Sequence, residues 1–483
     1  MTRSSRIIET EVLIIGSGAG GATTAAVLAE AGKRVTVVEE GPWIDPDAVE
    51  PFSIEEMVRK YRHHGSSAAL GSPPIAYAEG RCVGGSTEVN SGLWNRLPDY
   101  LAEEWSRTYD IDEFSPTALD AYAERVESWQ SVGKVPGAPP LSSALLERGA
   151  AKLGWRSVEF SRVFRYEAGV ADATRGVKQT MARTQIPRAI AAGASLLPEC
   201  RVVRLERKGP RIIGALCRQQ TADGGPDEDV VVRADHVFVC GGAIQTPALL
   251  QRSGIRRRIG SGLKLHPTIK IAARFPHLLD HDSIPMHRVI EFAPNLTIGG
   301  SASRRGHIGL ALADSGLDHE DALADWERMS VYYAAIRSEG SGRVRAVPGL
   351  RAPLVTYRLT DGDMSRLARG LVHLGELLLA AGATELHPSV EGGPVVRQTD
   401  ELLQWWNRVD RTRSNLMTVH LTSSVRMGND RSSTGADSFG AVHDFDNLRV
   451  NDASLLPDAP GVNPQAAVMT IALRNAEHFL ASP

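Results

Sequence analysis

Cysteine is scarce. The 483 residues include only Cys82, Cys200, Cys217 and Cys240, with no CxxC spacing. Neither a zinc site nor a disulfide framework is suggested, and no metal is expected. Reduced structural thiols in a cytoplasmic protein fit this usage. Long apolar runs are also missing. No uncharged stretch reaches the roughly 18–20 residues that span a bilayer, so no transmembrane segment is expected. The first ten residues lack the apolar core of a secretory signal. Charge of one sign is not in excess, since 54 basic residues face 57 acidic ones for a net charge of −3. With no basic tract and no low-complexity block, the chain lacks the electrostatic footprint of a nucleic-acid binder. A small molecule is the expected partner.

What is present begins near the N-terminus. The length suits two or three domain-sized units. Residues 11–15, EVLII, read as a short buried strand running into Gly16-Ser17-Gly18-Ala19-Gly20-Gly21. An Ala-rich helical stretch follows over 22–31, then a second strand over 34–38 that ends at Glu39. This is the βαβ setting that a GxGxxG needs before it carries meaning. Gly16 permits the tight turn, and Gly18 lets a pyrophosphate approach the backbone. Gly21 lets the helix pack on the strand, while the helix N-terminus offers free N–H groups to phosphates. Glu39 stands where a carboxylate accepts hydrogen bonds from a ribose diol, which argues against a 2′-phosphate. The competing reading is a glycine-rich turn with no ligand. FAD and NAD both remain open at this point.

Four further stretches narrow the choice. Residues 80–98 read GRCVGGSTEVNSGLWNRLP, in which Gly84 and Gly85 followed by Ser86 allow a second close backbone approach to a flat or anionic ligand. Residues 234–254 read ADHVFVCGGAIQTPALLQRSG, a buried strand, a glycine turn and a helix able to start near Thr246 and Pro247. Residues 420–428 read HLTSSVRMG, and 447–464 read NLRVNDASLLPDAPGVNP before a helix over about 465–480. In order and spacing these stretches resemble the glucose–methanol–choline (GMC) oxidoreductases, from one end of the chain to the other. Thr87 replaces a serine of that pattern. The ending GVNP is most similar to the branch of cholesterol oxidases and long-chain alcohol oxidases, whose active-site pair is His and Asn. His420 and Asn463 match those positions.

The resemblance implies an α/β protein with a Rossmann-like FAD-binding domain and a substrate domain built on an antiparallel sheet. The first is expected over 8–125, 190–275 and 415–483, the second over 126–189 and 276–414. FAD would be held by Gly16, Gly18, Gly21 and Glu39 at its adenosine half. Gly84, Gly85, Ser86 and Asn90 would lie along the pyrophosphate and isoalloxazine, with Asp452 and Pro464 at the ribityl chain and pyrimidine edge. No histidine lies between Gly85 and Arg96, so non-covalent FAD is expected.

The implied reaction is oxidation of an alcohol to a carbonyl by hydride transfer to flavin N5. His420 would act as base, because its ordinary pKa of about 6.5 lies near working pH. Asn463, both donor and acceptor, would orient the substrate oxygen. The branch hints at a bulky or apolar alcohol, with dioxygen or another acceptor reoxidising the flavin. Two alternatives stand beside this reading: a redox-silent lyase of the same family and a non-enzymatic flavin-binding subunit. His266, His287 and His443 are read as structural, and Glu88 as a minor candidate to face the flavin. Residues 45–78 suggest a lid or a plain surface loop.

Overall fold

The computed structural model describes residues 6–482 except 170, 171, 173, 174, 222–224, 226, 282–285 and 318. Seven strands form the first sheet: β1 (Arg6–Ile15), β2 (Val35–Val38), β3 (Ser195–Leu197), β4 (Cys200–Lys208), β5 (Arg211–Gln219), β6 (Glu228–Val239) and β7 (Leu448–Val450). Four helices matter to the site: α1 (Ala19–Glu30), α2 (Gly242–Arg252), α3 (Asp361–Ala381) and α4 (Gln465–Ala481).

The apolar runs of β1 and β2 are buried on both faces, as strands at the centre of a parallel sheet must be. The order β3-β2-β1-β6 is parallel throughout. β6 then divides its partners. Its first half pairs antiparallel with β5, and its last three residues pair in parallel with β7. Asn447 bridges the divergence, because its amide bonds both backbone groups of Ile212 and the carbonyl of Asp235.

Register sets the site. Ile15 is opposite both Val38 and Val239, Val38 is opposite Leu197, and Val239 is opposite Val450. All five parallel strands therefore end together, and Gly16, Glu39, Cys240 and Asn451 follow them at one edge. A crevice outside the carboxyl ends of such strands is the place where open α/β sheets bind ligands.

α1 begins at Ala19, inside the glycine motif and three residues before the expected start, and is buried from Gly20 to Ala29. A helix apolar on all sides belongs in an interior. It packs between α4 and the short helix Gln185–Ala191. α2 starts at Gly242, ahead of the expected Thr246, so Pro247 falls within it. Proline there removes the N–H that would bond the carbonyl of Ala243. The Ser424 hydroxyl donates to that carbonyl instead, at 2.6 Å.

The second sheet has nine strands and is mostly antiparallel. Its centre is Leu416–Thr418, Thr268–Arg274, Met329–Ile336 and Leu296–Gly300. Side chains alternate between its faces. Ile269, Ile271, Ala334 and Ile298 pack in the same core as Leu367, Leu371 and Leu374 of α3. Thr268, Lys270, Tyr333 and Ala335 face the crevice instead. The sequence reads 367–381 as an amphipathic helix with Gly382 just past its end; α3 starts six residues earlier, because Thr360 and Asp363 form a reciprocal cap, and it stops at left-handed Gly382.

The sheet changes the expected division of the chain. Thr268–Arg274 and Leu416–Thr418, placed by sequence in the dinucleotide unit, are central strands of the antiparallel sheet. The helix Gln185–Ala191, which the expected boundary at 189/190 divides between the two units, packs on α1. Residues 45–78 are not one lid or loop. They contain the helix Ile54–Lys60, the strand Ser67–Ala69 at the end of the sheet and the strand Ile75–Tyr77 between it and Leu416–Thr418. Strands of three residues are too short to show a period.

Candidate active site

A cleft of about 440 Å³ runs along the ends of β1, β2, β6 and β7 and under the second sheet. Gly16, Gly18, Glu39, Gly85, Ser86, Asn90, His420, Asp452, Asn463 and Pro464 all line it. Gly21 and Gly84 stand behind the wall. A Cβ on Gly21 would fall 2.0 Å from the carbonyl oxygen of Gly16, so glycine is what lets α1 sit on the turn. The two glycine loops touch: a Cβ on Gly85, whose φ is +55°, would lie 2.9 Å from the Cα of Gly18.

Polar contacts stiffen these loops. Glu39 Oε2 accepts from the Ser17 amide at 3.0 Å and hydroxyl at 2.7 Å, while Oε1 accepts from the Gly41 amide at 2.8 Å. Burial raises its pKa. Gly84 N–H donates to Ser17 Oγ at 3.1 Å, tying the second loop to the first. Ser86 Oγ accepts from the Gly80 amide, and Asn90 donates to Gln465 Oε1 at 2.7 Å. Asp452 accepts four hydrogen bonds, from Gly242 N, Thr246 Oγ1 and the amide and hydroxyl of Ser454. Its carboxylate thus joins the start of α2 to the turn after β7. Glu88 lies off the cleft and accepts weakly from the Ala182 amide at 3.4 Å.

Three distant segments bring the candidate catalytic groups together. His420 follows the strand Leu416–Thr418, with its amide donating to Thr418 Oγ1 at 3.1 Å. Asn463 ends the turn before α4, and its Nδ2 lies 3.1 Å from His420 Nε2. Asn463 Oδ1 accepts from Asn95 Nδ2 at 3.0 Å. His266, read from sequence as structural, places Nδ1 2.9 Å from His420 Nδ1. His287 and His443 are elsewhere, near Glu147 and Thr434. The Gly461 amide donates to His266 Nε2 at 2.9 Å. A backbone amide is a fixed donor, so in the free protein His266 carries its proton on Nδ1 and passes it towards His420 Nδ1. His420 then holds its own proton on Nε2, and the amides of Asn463 and Asn95 turn over to suit. Neither His266 nor Asn95 was marked by sequence, because each meets the site through residues far away in the chain.

Burial holds the His420 pKa down to about 4, and burial followed by the charge of His420 holds His266 well below its usual value. Both imidazoles are therefore uncharged at neutral pH. Because the folded pKa of His420 lies below its unfolded one, unfolding takes up a proton, and stability falls as pH drops from about 6.5 towards 4. At pH 5 this one group should cost roughly 2 kcal/mol relative to pH 7. Urea denaturation of the wild type and His420→Gln at both pH values checks this, with the variant losing less on acidification. Equal losses would show that His420 is not buried neutral.

Glycines at the two loops, a fixed acid after β2 and amides at the start of α1 fit the FAD molecule along the cleft. The chain belongs to the GMC oxidoreductases: residues 11–268 and 338–472 match the N- and C-terminal parts of that family. Among its relatives, the GMC-type oxidoreductase y4nJ of Sinorhizobium fredii is 40% identical over 480 residues, covering 98% of this chain and 95% of its own. Long-chain-alcohol oxidase FAO3 of Arabidopsis thaliana is 26% identical over 520 residues, covering 96% and 67%. The fold is also that of pyridoxine 4-oxidase from Mesorbium loti, with a TM-score of 0.72 at 20% identity over 98% of this chain and 100% of that one. The protein is an FAD-dependent oxidoreductase. Among the described residues, no helix is long and apolar enough to cross a membrane.

Proposed function

We propose that this oxidoreductase converts an alcohol to a carbonyl, with the hydroxyl held between His420 and Asn463. The observation that carries this reading is the contact of 3.1 Å between these two side chains at the cleft wall, beside Asn90 and Pro464. FAD, when bound, supplies the hydride acceptor. The family match and the long-chain-alcohol oxidase relative support the reaction class.

Asn463 orients the alcohol oxygen, and Asn95 orients Asn463. His420 takes the hydroxyl proton, for which an uncharged imidazole is required. Its resting proton on Nε2 makes it first a donor to the oxygen. Acceptance at Nε2 needs the reverse pattern, with the His420 proton on Nδ1 and the Gly461–His266 contact opened. Asn463 lies two residues after Gly461, so the turn that grips the substrate is also the turn that fixes the histidine pair. Non-covalent FAD is part of this proposal, and the thiol within the second glycine loop, Cys82, is buried with its pKa pushed up by that burial.

Anaerobic mixing of the yellow protein with a panel of alcohols tests the reading. Bleaching of the visible flavin band with formation of the matching carbonyl is expected, and admitting air then shows whether dioxygen restores the colour. Bleaching by dithionite but by no alcohol would favour the redox-silent lyase.

A further inference from the structure

The roof of the cleft carries a polar row that the catalytic pair does not use. Lys270 pairs with Tyr333, Tyr333 with Gly299 and Gly299 with Arg288 across four neighbouring strands. Residues directly opposite in antiparallel strands point to the same face. Gly299 leaves the row open in its middle, and the Tyr333 hydroxyl lies 2.7 Å from where a Cβ on Gly299 would stand. Lys270, Tyr333 and Ser301 line the cleft. Beyond Lys270 the same sheet face is closed by the helix Arg305–Ala313, so the row is the end wall of the substrate space. Lys270 lies four residues after His266, about 13 Å along the strand.

The charges on this wall do not balance. Lys270 Nζ is 2.8 Å from Asp314 Oδ2, and its side chain is only 14% exposed. An ammonium has three N–H groups, and its contact with Asp314 is an ion pair in which Asp314 Oδ2 accepts no hydrogen bond among the described residues. Arg288 sits over the Phe160 ring at 5.3 Å, and no carboxylate among the described residues is within ion-pair distance of it. Burial holds its pKa below the usual arginine value. His307, also near Lys270, has its pKa pushed below the usual histidine value by burial and by the charges of Arg304 and Lys270. Two cations thus face one carboxylate, with the hydroxyls of Tyr333 and Ser301 open to the cleft. An alkyl tail packed here would strip water from the Lys270 ammonium without replacing its hydrogen bonds, which is costly.

We infer that this wall binds an oxyanion on the substrate, so that the alcohol oxidised is one bearing a carboxylate or similar group remote from the reacting hydroxyl. The inference rests on the proposed alcohol oxidation but is read separately from it. Lys270 and the two hydroxyls donate to the anion, and Arg288 supplies charge from behind Tyr333.

The experiment compares 4-(hydroxymethyl)benzoate with 4-methylbenzyl alcohol on the FAD-loaded protein, and measures binding of 4-methylbenzoate by perturbation of the flavin spectrum. In the wild type the carboxylate should be preferred about a hundredfold or more in kcat/KM, since sites built for a polar group reject analogues lacking it. Lys270→Met, and the double variant Lys270→Met/Asp314→Asn that removes both charges of the ion pair, should bring that ratio below about tenfold and weaken 4-methylbenzoate in parallel. Tyr333→Phe, which keeps the ring, should weaken it less. Tighter use of the methyl compound by the wild type, or 4-methylbenzoate binding indifferent to Lys270, would overturn the inference. Lys270-dependent binding with no flavin reduction by either alcohol would leave the wall standing and sink the oxidation instead.

Discussion

Replacing His420 with Gln should slow anaerobic flavin reduction by alcohol about 10²–10⁴-fold, the range for losing a positioned proton-transfer group. FAD should stay bound, because none of the glycine-loop contacts involves His420. Gln fills much of the same space and still reaches Asn463, but it cannot take a proton. A pocket that only needed to be filled would lose little. The variant should also be slow at every pH between 5 and 9, whereas the wild type should hold its rate down to pH values well below 6, since its histidine stays neutral until about pH 4. Stopped-flow absorbance across that range is the measurement. A variant within a few-fold of the wild type would remove His420 from the chemistry.

The second large effect is structural. Gly21→Ala adds one methyl group, yet that methyl would stand 2.0 Å from the Gly16 carbonyl oxygen and 3.0 Å from the Cys240 side chain. Real Cβ atoms do not approach backbone so closely, so α1 must lift from β1. Overpacking of this kind costs about 1–3 kcal/mol or more. Here it also moves the amides at the start of α1 that would meet the phosphates of FAD. The expected protein is colourless or only weakly yellow, with a midpoint of unfolding lowered in both the presence and absence of added FAD. Wild-type FAD content and stability would show that the helix does not rest on this turn. Gly18, whose Cβ would meet nothing closer than 4.0 Å, is the control that separates helix packing from ligand approach.

The two predictions fall on residues that were legible in different ways. The βαβ unit is visible in sequence because β1 and β2 are continuous apolar runs and the glycines stand between strand and helix. α3 was visible through its period, and Gly382 through the stop it provides. The second sheet was largely hidden. Its strands from 67–77 and 416–418 are three residues long, and Thr268–Arg274 shows its alternation only once the crevice is known to lie on one side. Pro247 marked a helix start because proline rarely sits further in, and only the fold reveals that Ser424 compensates for it. His420 and Asn463 were found through the stretches around them. His266 lies in no such stretch, Asn95 stands at a position within 80–98 that the pattern leaves open, and their contacts span 154 and 368 residues. The hint of an apolar alcohol came from the chain's ending alone, whereas the wall that meets the substrate is drawn from strands with no motif.

In the proposed reaction a carbinol hydrogen of the substrate leaves towards the flavin from between His420 and Asn463. Anaerobic reduction by an oxidised alcohol, repeated with that alcohol deuterated at the carbinol carbon, tests it most directly. Bleaching should be several-fold slower with deuterium, with one carbonyl formed per flavin reduced. Bleaching at the same rate with both isotopes when substrate is saturating, or no bleaching by any alcohol in a protein that dithionite readily reduces, would contradict it.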